Sequence, residues 1–445
     1  MLRPWGWRFP APTTKTSPLS FETHDARRAE SRPMTKTAIH HLADYDRYCE
    51  GRLENPYPLY HRLRTEDPVH WSDRLQSWML TRYDDVLSAN RDRRLASNRV
   101  SVNLAPLTEA DRNRYKGLGD HVSNWLGFTD PPKHTRMRDM IGQTFNQGLA
   151  ESQEDRIREI VDGLIEKFRK KGEIDLVDDF AYPLPATLIC DILGVPGGYR
   201  RQFRVLVEDL TAFVGAVGPT LTRVAEKAER SRRELTAFFR ELASERRREP
   251  RQDLISTLAA VEGKKDGLTE EELLGLIVFI FDAGHDTTAS FIANGTLSLL
   301  RNPVEMARLR QHPTLMDTAV EEFLRYESPI QFDTRLATSD LEIGGKCIRE
   351  GQTVILLRGA ANRDPERFPD PDRLDLGRQD NKHLAFGWGA HFCLGAPLAR
   401  LEGQVAFSRL LDAFPDLRLK SEQIDWVENM SLRCPRSLPV TFGGE

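Results

Sequence analysis

Residues 386–395 read FGWGAHFCLG, and they run straight into the apolar stretch APLARLEGQVAFSRLL. Glycines at this density let a backbone fold tightly and approach a bulky group closely. The one cysteine of the segment, Cys393, stands just ahead of a predicted helix, where free backbone N–H groups stabilise a thiolate. A thiolate is also the ligand that a soft metal prefers. The plainer reading of the same residues is a buried cysteine in a Gly-rich turn.

Working outward from that loop, the longest apolar run is Leu276–Phe281, inside LTEEELLGLIVFIFDAGHDTTASFIANGTLSLLRN. Thr269 and Glu272 carry a capping-box spacing, which predicts the start of a long helix. Its middle, AGHDTT (Ala283–Thr288), works against helix formation. A glycine there costs about 1 kcal/mol relative to alanine. Thr287 and Thr288 bring hydroxyls that compete for backbone carbonyls. Several unfavourable residues at one place point to function overriding propensity, although a kink at a helix crossing explains them more plainly. In EEFLRYESP, Glu322 and Arg325 stand at i, i+3 and share a helix face. In DPPKHTRMR, His134 and Arg138 stand at i, i+4 on a helix that opens after Pro132.

The rest of the chain predicts mostly helix with little sheet. NPYPLYHRLR opens a helix, and VHWSDRLQSWML alternates like a hairpin with Trp71, Trp78 and Leu80 as its apolar positions. Asp84 and Asp85 suit the first turn of the next helix. Residues 98–125 read as an irregular polar stretch, and VGAVGPT separates two charged amphipathic segments within 198–249. Gly194–Pro196 ends a helix, and SDLEIGGKCIREGQTVILL reads as a short antiparallel sheet. The leader MLRPWGWRFPAPTTKTSPLS lacks an apolar signal core and predicts disorder over residues 1–33, with one domain from Met34 to the C-terminus.

Composition narrows the classes. A net charge of -4 does not suggest a nucleic-acid partner. The five cysteines, Cys49, Cys190, Cys347, Cys393 and Cys434, form no C-x-x-C pair, so a disulfide framework or cysteine zinc site is not expected and a reducing cytoplasm is. No run of about 18 apolar residues predicts a membrane span.

With these residues in view, Phe386, Gly389, Cys393 and Gly395 resemble the haem-binding loop F-x-x-G-x-x-x-C-x-G of the cytochrome P-450 superfamily. The resemblance runs from about Asn55 to the C-terminus. It implies a mainly α fold with small β-sheets, and haem b buried between the long central helix and the cysteine loop. Cys393 would ligate the iron. His134, Arg138, Arg335 and His391 would meet the haem propionates. Ala283 would leave room over the iron, and Asp286 with Thr287 would deliver protons to dioxygen. Glu322 and Arg325 would be structural, with Arg363 or Arg367 as their partner. The substrate pocket would draw on residues 98–126, Phe213–Pro219, Phe279, Asp282, Gln331 and Met430.

The implied activity is that of a soluble bacterial-type monooxygenase of secondary metabolism, inserting one oxygen atom of O2 into a small molecule by hydroxylation or epoxidation. The chain ends soon after the cysteine helix, so the expectation is a separate ferredoxin or flavodoxin with its reductase, a cytoplasmic monomer and no membrane partner. Two alternatives remain: a peroxide-driven hydroxylase of the same fold, which typically lacks the acid–alcohol pair, and a haem-bearing recruitment module without catalysis. One residue departs from the commoner family pattern. Asp282 stands where an apolar residue usually precedes A-G-x-[DE]-T, and it lies at i, i+4 to Asp286. Two buried carboxylates at that spacing repel. Either one carboxyl is protonated, or a protein cation pairs with Asp282, or a polar or cationic group of the substrate does. Pairing with a nearby Arg or Lys is the first expectation.

Overall fold

The computed structural model describes residues 39–105, 107–215 and 220–443. The leader expected at 1–33 and residues 216–219 of the separator VGAVGPT lie outside the described residues. Helix α1 (Tyr57–Glu66) leads into the hairpin β1 (Val69–Ser72) and β2 (Ser77–Leu80), with Trp71 opposite Trp78 as the alternation predicts. Helix α2 (Tyr83–Ala89) follows, with Asp84 and Asp85 in its first turn, where they complement the helix dipole. A short strand, β3, covers Leu95–Ala96.

Residues 98–125 are not irregular throughout. They hold three short helices, α3 (Val100–Leu104), α4 (Glu109–Arg114) and α5 (Lys116–Val122). Segments of this length show too little periodicity to be recognised, and a cap or packing rather than propensity holds them. Thr108 caps α4 through a bond from the Asp111 N–H, and Leu118 and Val122 of α5 are fully buried.

The helical body comprises α6 (Lys133–Gly142), α7 (Pro183–Leu193), α8 (Arg200–Val214), α9 (Thr220–Arg248), α10 (Glu270–Arg301) and α11 (Met316–Tyr326). Helix α7 stops at Gly194, whose φ of 78° ends it in the left-handed region. The capping box of α10 is complete, with the Thr269 side chain and the Glu272 side chain each bonded to the other's backbone N–H. Helix α10 is unbroken through AGHDTT, so no interruption of the helix marks that motif. By length and composition it resembles a membrane span, yet most of it is buried inside the protein. Gly284 brings it against α7, since a Cβ there would lie 2.9 Å from the Ile189 side chain.

Two further strands, β4 (Asp333–Ala337) and β5 (Thr353–Leu356), complete a five-stranded sheet of order β1-β2-β5-β4-β3. Strand β5 runs parallel to β2 and antiparallel to β4. The single sheet expected over SDLEIGGKCIREGQTVILL therefore divides. Leu341–Ile343 and Lys346–Ile348 pair only with each other, and β5 is recruited by the apolar strands beside it. Helix α12 (Ala396–Ala413) follows the cysteine loop and packs against α10 and α11.

Candidate active site

The loop ahead of α12 is shaped by its glycines. Gly387 and Gly389 have φ of 70° and 71°, a region that side chains with a Cβ avoid. A Cβ on Gly389 would also lie 2.9 Å from the Asn90 carbonyl. The Cys393 N–H donates to the Phe386 carbonyl (2.9 Å), and Arg400 sits over the Phe386 ring at 4.6 Å. Burial pushes the Cys393 thiol up, while the Gly395 N–H, Arg358, Arg138 and Arg400 pull against that rise. Cys393 still keeps part of its surface accessible, as do Phe392, Leu394 and Gly395.

Cations gather beside this loop. His134 and Arg138 share one face of α6 as their spacing predicts. The His134 ring lies 4.1 Å from that of His391, and Arg138 donates to the Phe392 carbonyl (2.7 Å). Arg335 on β4 is buried and reaches the Thr334 carbonyl (3.0 Å). Arg99 and Arg358, which the sequence did not single out, join it around Asp333. Burial works to raise the Asp333 carboxyl, yet Arg358, Arg335 and Arg99 hold it at about 2. Burial, reinforced by Arg335, brings Arg99 down to about 10. Burial, then His134 and Arg335, push His391 down to about 3. His134 Nε2 and Arg358 Nε are buried and have no hydrogen-bond partner among the described residues. Arg99, Arg335 and Arg358 share one carboxylate, Asp333, so buried positive charge there is short of anions; with the neutral imidazoles of His134 and His391 as hydrogen-bonding groups, the set fits a cofactor bearing carboxylates next to a cysteine that ligates its metal.

Glu322 and Arg325 form a fully buried bidentate pair, with both N···O distances 2.7 Å. Arg325 also holds the carbonyls of Asn362 and Pro371, each at 2.9 Å. The third member is Arg378, whose Nε donates to Glu322 at 3.2 Å; it is neither Arg363 nor Arg367. Arg363 instead lies over the Tyr57 and Tyr326 rings and donates to the Tyr326 carbonyl, and Arg367 pairs with Asp380. The aromatic stack draws Arg363 away from the carboxylate.

In the core, α10 presents one unusual face. From Glu272 to Leu299 the helix is buried except at Phe279, Asp282, Ala283, Gly284, Asp286, Thr287. Apart from Gly284, which faces α7, these positions form one helical stripe, and it lies in the interior of the protein, so it borders a cavity. Ala283 is the most open of the six. The Thr287 hydroxyl donates to the Ala283 carbonyl (2.8 Å), so toward the cavity it offers lone pairs. Asp286 is held by His285, whose Nε2 lies 3.1 Å from its Oδ1 and whose ring reaches the Phe281 carbonyl through Nδ1 (2.6 Å). Burial works to raise Asp286, but His285 brings it below the usual carboxylate value.

Asp282 has no Arg or Lys partner among the described residues, which corrects the first expectation for it. Its Oδ1 lies 2.5 Å from the Thr211 hydroxyl of α8. Burial pushes its carboxyl up to about 7, and Asp286 adds to the rise against the Thr211 bond. His285, which pulls weakly against that rise, is paired with Asp286 one turn on. Phe279 packs on Trp125 (5.7 Å). Gln331 and Met430 lie elsewhere, lining a cleft with Tyr48, Tyr60, Trp426 and Arg433, and the Gln331 amide is engaged by Tyr60 (2.9 Å) and Ser328 (2.6 Å).

The family described as Cytochrome P450 matches residues 110–432 of this sequence. Cytochrome P450 107B1 of Saccharopolyspora erythraea is 39% identical over 421 residues, covering 92% of this chain and 100% of its own. The 6-deoxyerythronolide B hydroxylase of the same organism is 37% identical over 402 residues, 87% of this chain and 96% of its own. Among solved structures, P450BioI in complex with a hexadec-9Z-enoic acid ligated acyl carrier protein aligns with a TM-score of 0.81 at 36% identity, over 87% of this chain and 98% of that one.

Proposed function

The chain belongs to the cytochrome P450 family and is a haem-thiolate monooxygenase, and from that premise we propose how its residues share the reaction. Haem, when bound, supplies the activation of dioxygen and the transfer of one oxygen atom to an organic substrate. Haem b is the form we assign. Cys393 ligates its iron, and the positive-φ turns at Gly387 and Gly389 with Phe386 and Gly395 give the backbone room around the sulfur. Arg99, Arg138, Arg335, His134 and His391 hold the propionates, with Arg358 and Asp333 fixing the arginines. The Glu322–Arg325–Arg378 network ties the segment before the loop to α11, so that the cysteine keeps its place.

On the opposite side, Ala283 leaves space above the cysteine. Thr287, its proton committed to a carbonyl, accepts a hydrogen bond from whatever occupies that space. Asp286 holds a proton-transfer position beside it, and His285 keeps the carboxylate ionised and oriented. This division of roles rests above all on the accessible stripe of α10, a cavity wall inside an otherwise buried helix.

Phe279 and Asp282 line the substrate side, whereas Gln331 and Met430 line the cleft beside Tyr60 and Trp426. Electrons come from a separate ferredoxin or flavodoxin with its reductase. The working unit is a cytoplasmic monomer built from residues 34–445. The central assignment is tested by Cys393→Ser: the red-shifted Soret band of the reduced carbon-monoxide complex is expected to vanish. A retained band in that variant would remove the assignment of the ligand.

A further inference from the structure

Asp282 is the one carboxyl on the α10 cavity face without an ion-pair partner among the described residues; His285 acts on it only from a distance and is itself paired with Asp286. Asp286 has His285; Asp282 has only the Thr211 hydroxyl. That hydroxyl lies 3.1 Å from the Val207 carbonyl as well as 2.5 Å from Asp282 Oδ1. A single hydroxyl proton cannot satisfy two acceptors. Both short distances are satisfied when Asp282 itself carries a proton: Asp282 donates to Thr211, and Thr211 donates to Val207. The second carboxyl oxygen has no partner among the described residues, and the side chain keeps accessible area although protein surrounds it. It therefore borders the same cavity as its neighbour Ala283.

An acid in this setting is poised for a cation. Burying a carboxylate alone is costly, while a paired and hydrogen-bonded one is tolerated. A protonated amine entering the cavity would take the place of the missing protein cation. Asp282 would then lose its proton, the Thr211 hydroxyl would turn to the carboxylate, and the face would hold two acids with two cations. A substrate hydroxyl would gain only a hydrogen bond and leave Asp282 neutral.

We propose that Asp282, steadied by Thr211, is the anchoring residue for a substrate carrying a basic amine. The inference rests on the monooxygenase reading of this cavity and adds the chemical class of its ligand. Thr287 lies five residues beyond Asp282, about 7.5 Å further along the helix axis, so the oxidised carbon is several bonds from the nitrogen rather than adjacent to it.

The test uses full-length, haem-loaded enzyme with two probes, N,N-dimethyldecylamine and decanol, titrated by calorimetry. Wild type is expected to bind the amine more tightly than the alcohol. Asp282→Asn and Asp282→Val should each weaken the amine by about ten- to hundredfold and decanol by a clearly smaller factor, that of one neutral hydrogen bond. Thr211→Val, which keeps the acid, should weaken the amine by a smaller factor. Repeating the titration in buffers of different ionisation enthalpy should show proton release on amine binding by wild type and none by Asp282→Asn. Unchanged amine affinity in both Asp282 variants, or an equal loss for both probes, would overturn the proposal, as would absence of proton release. Imidazole needs only the iron. An intact imidazole spectrum beside any of those failures confines the failure to Asp282, whereas loss of that spectrum in wild type overturns the haem-pocket reading and this inference with it.

Discussion

The two walls of the active site are built on opposite terms. On the cysteine side, charges are buried and tied down: Glu322 and Arg325 interlock without solvent and are braced by the half-buried Arg378, and Asp333 is surrounded by arginines. On the α10 side, the same helix that is packed on nearly every face leaves one stripe open, with a back-bonded hydroxyl and an acid that lacks a cation. The first wall spends its polar groups on position. The second keeps polar groups incompletely engaged, which is what chemistry and substrate binding require. Mutations on the two walls are therefore expected to fail in different ways, through stability and cofactor retention on one side and through reaction outcome on the other.

The largest effect belongs to the cysteine side. Glu322→Gln keeps the volume and leaves Arg325 buried without its carboxylate. Breaking a buried ion pair on one side costs about 3–5 kcal/mol. The expected result is a lower melting temperature and loss of haem on gel filtration, read from the ratio of Soret to protein absorbance. A variant that melts like wild type with full haem content would show that Arg378 and the carbonyls suffice to hold the segment, and the contrast between the walls would weaken.

Thr287→Ala strikes the other wall. No buried charge is disturbed, so melting temperature and substrate affinity should stay close to wild type. The lone pairs facing the cavity are lost, and the yield of product per electron pair should fall by at least about tenfold, with hydrogen peroxide formed in its place; a positioned proton-transfer group contributes about 10²–10⁴-fold. Equal yields in the variant and wild type would assign the role to another group on the same stripe.

How much of this was legible in the sequence follows the same division. The capping box at Thr269, the Trp71–Trp78 hairpin, the Gly194 stop and the Glu322–Arg325 pair all depend on residues close together in the chain, and spacing alone reveals them. The partner of that pair was missed because Arg378 arrives from 56 residues away, and the choice among Arg363, Arg367 and Arg378 is made by the Tyr57 and Tyr326 rings. Arg99 and Arg358 were missed for the same reason: each meets Asp333 only through the fold. In the 98–125 region three short helices escaped notice because five to seven residues carry no readable period. Asp282 was legible as an anomaly, but its partner was not; a helical wheel gives the face a residue occupies and is silent about what waits there.

His285 tests the boundary between the walls most finely, since it is a buried charge of the first kind serving an acid of the second. Its ring is fully buried, bonded to the Phe281 carbonyl through Nδ1, and close to Asp286 as an ion pair rather than an aligned hydrogen bond. Burial works to lower its pKa, but Asp286 and the Phe281 carbonyl outweigh burial, and the net shift is upward from 6.5. Asp286 is shifted below 3.8. A raised histidine contributes stability that is complete below its unfolded pKa and fades as pH rises through the folded one; a depressed aspartate contributes above its unfolded pKa and fades as pH falls. The pair is thus strongest between about pH 4 and 6.5 and weakens on the alkaline side. His285→Gln retains a donor for Phe281 and cannot take up the charge. The expected outcome is a melting temperature a few degrees below wild type at pH 6, with the gap narrowing at pH 7.5 and again at pH 9, measured at constant ionic strength. Parallel curves across that range would mean that His285 is neutral throughout, and that Asp286 owes its ionisation to Arg204, the other cation acting on it.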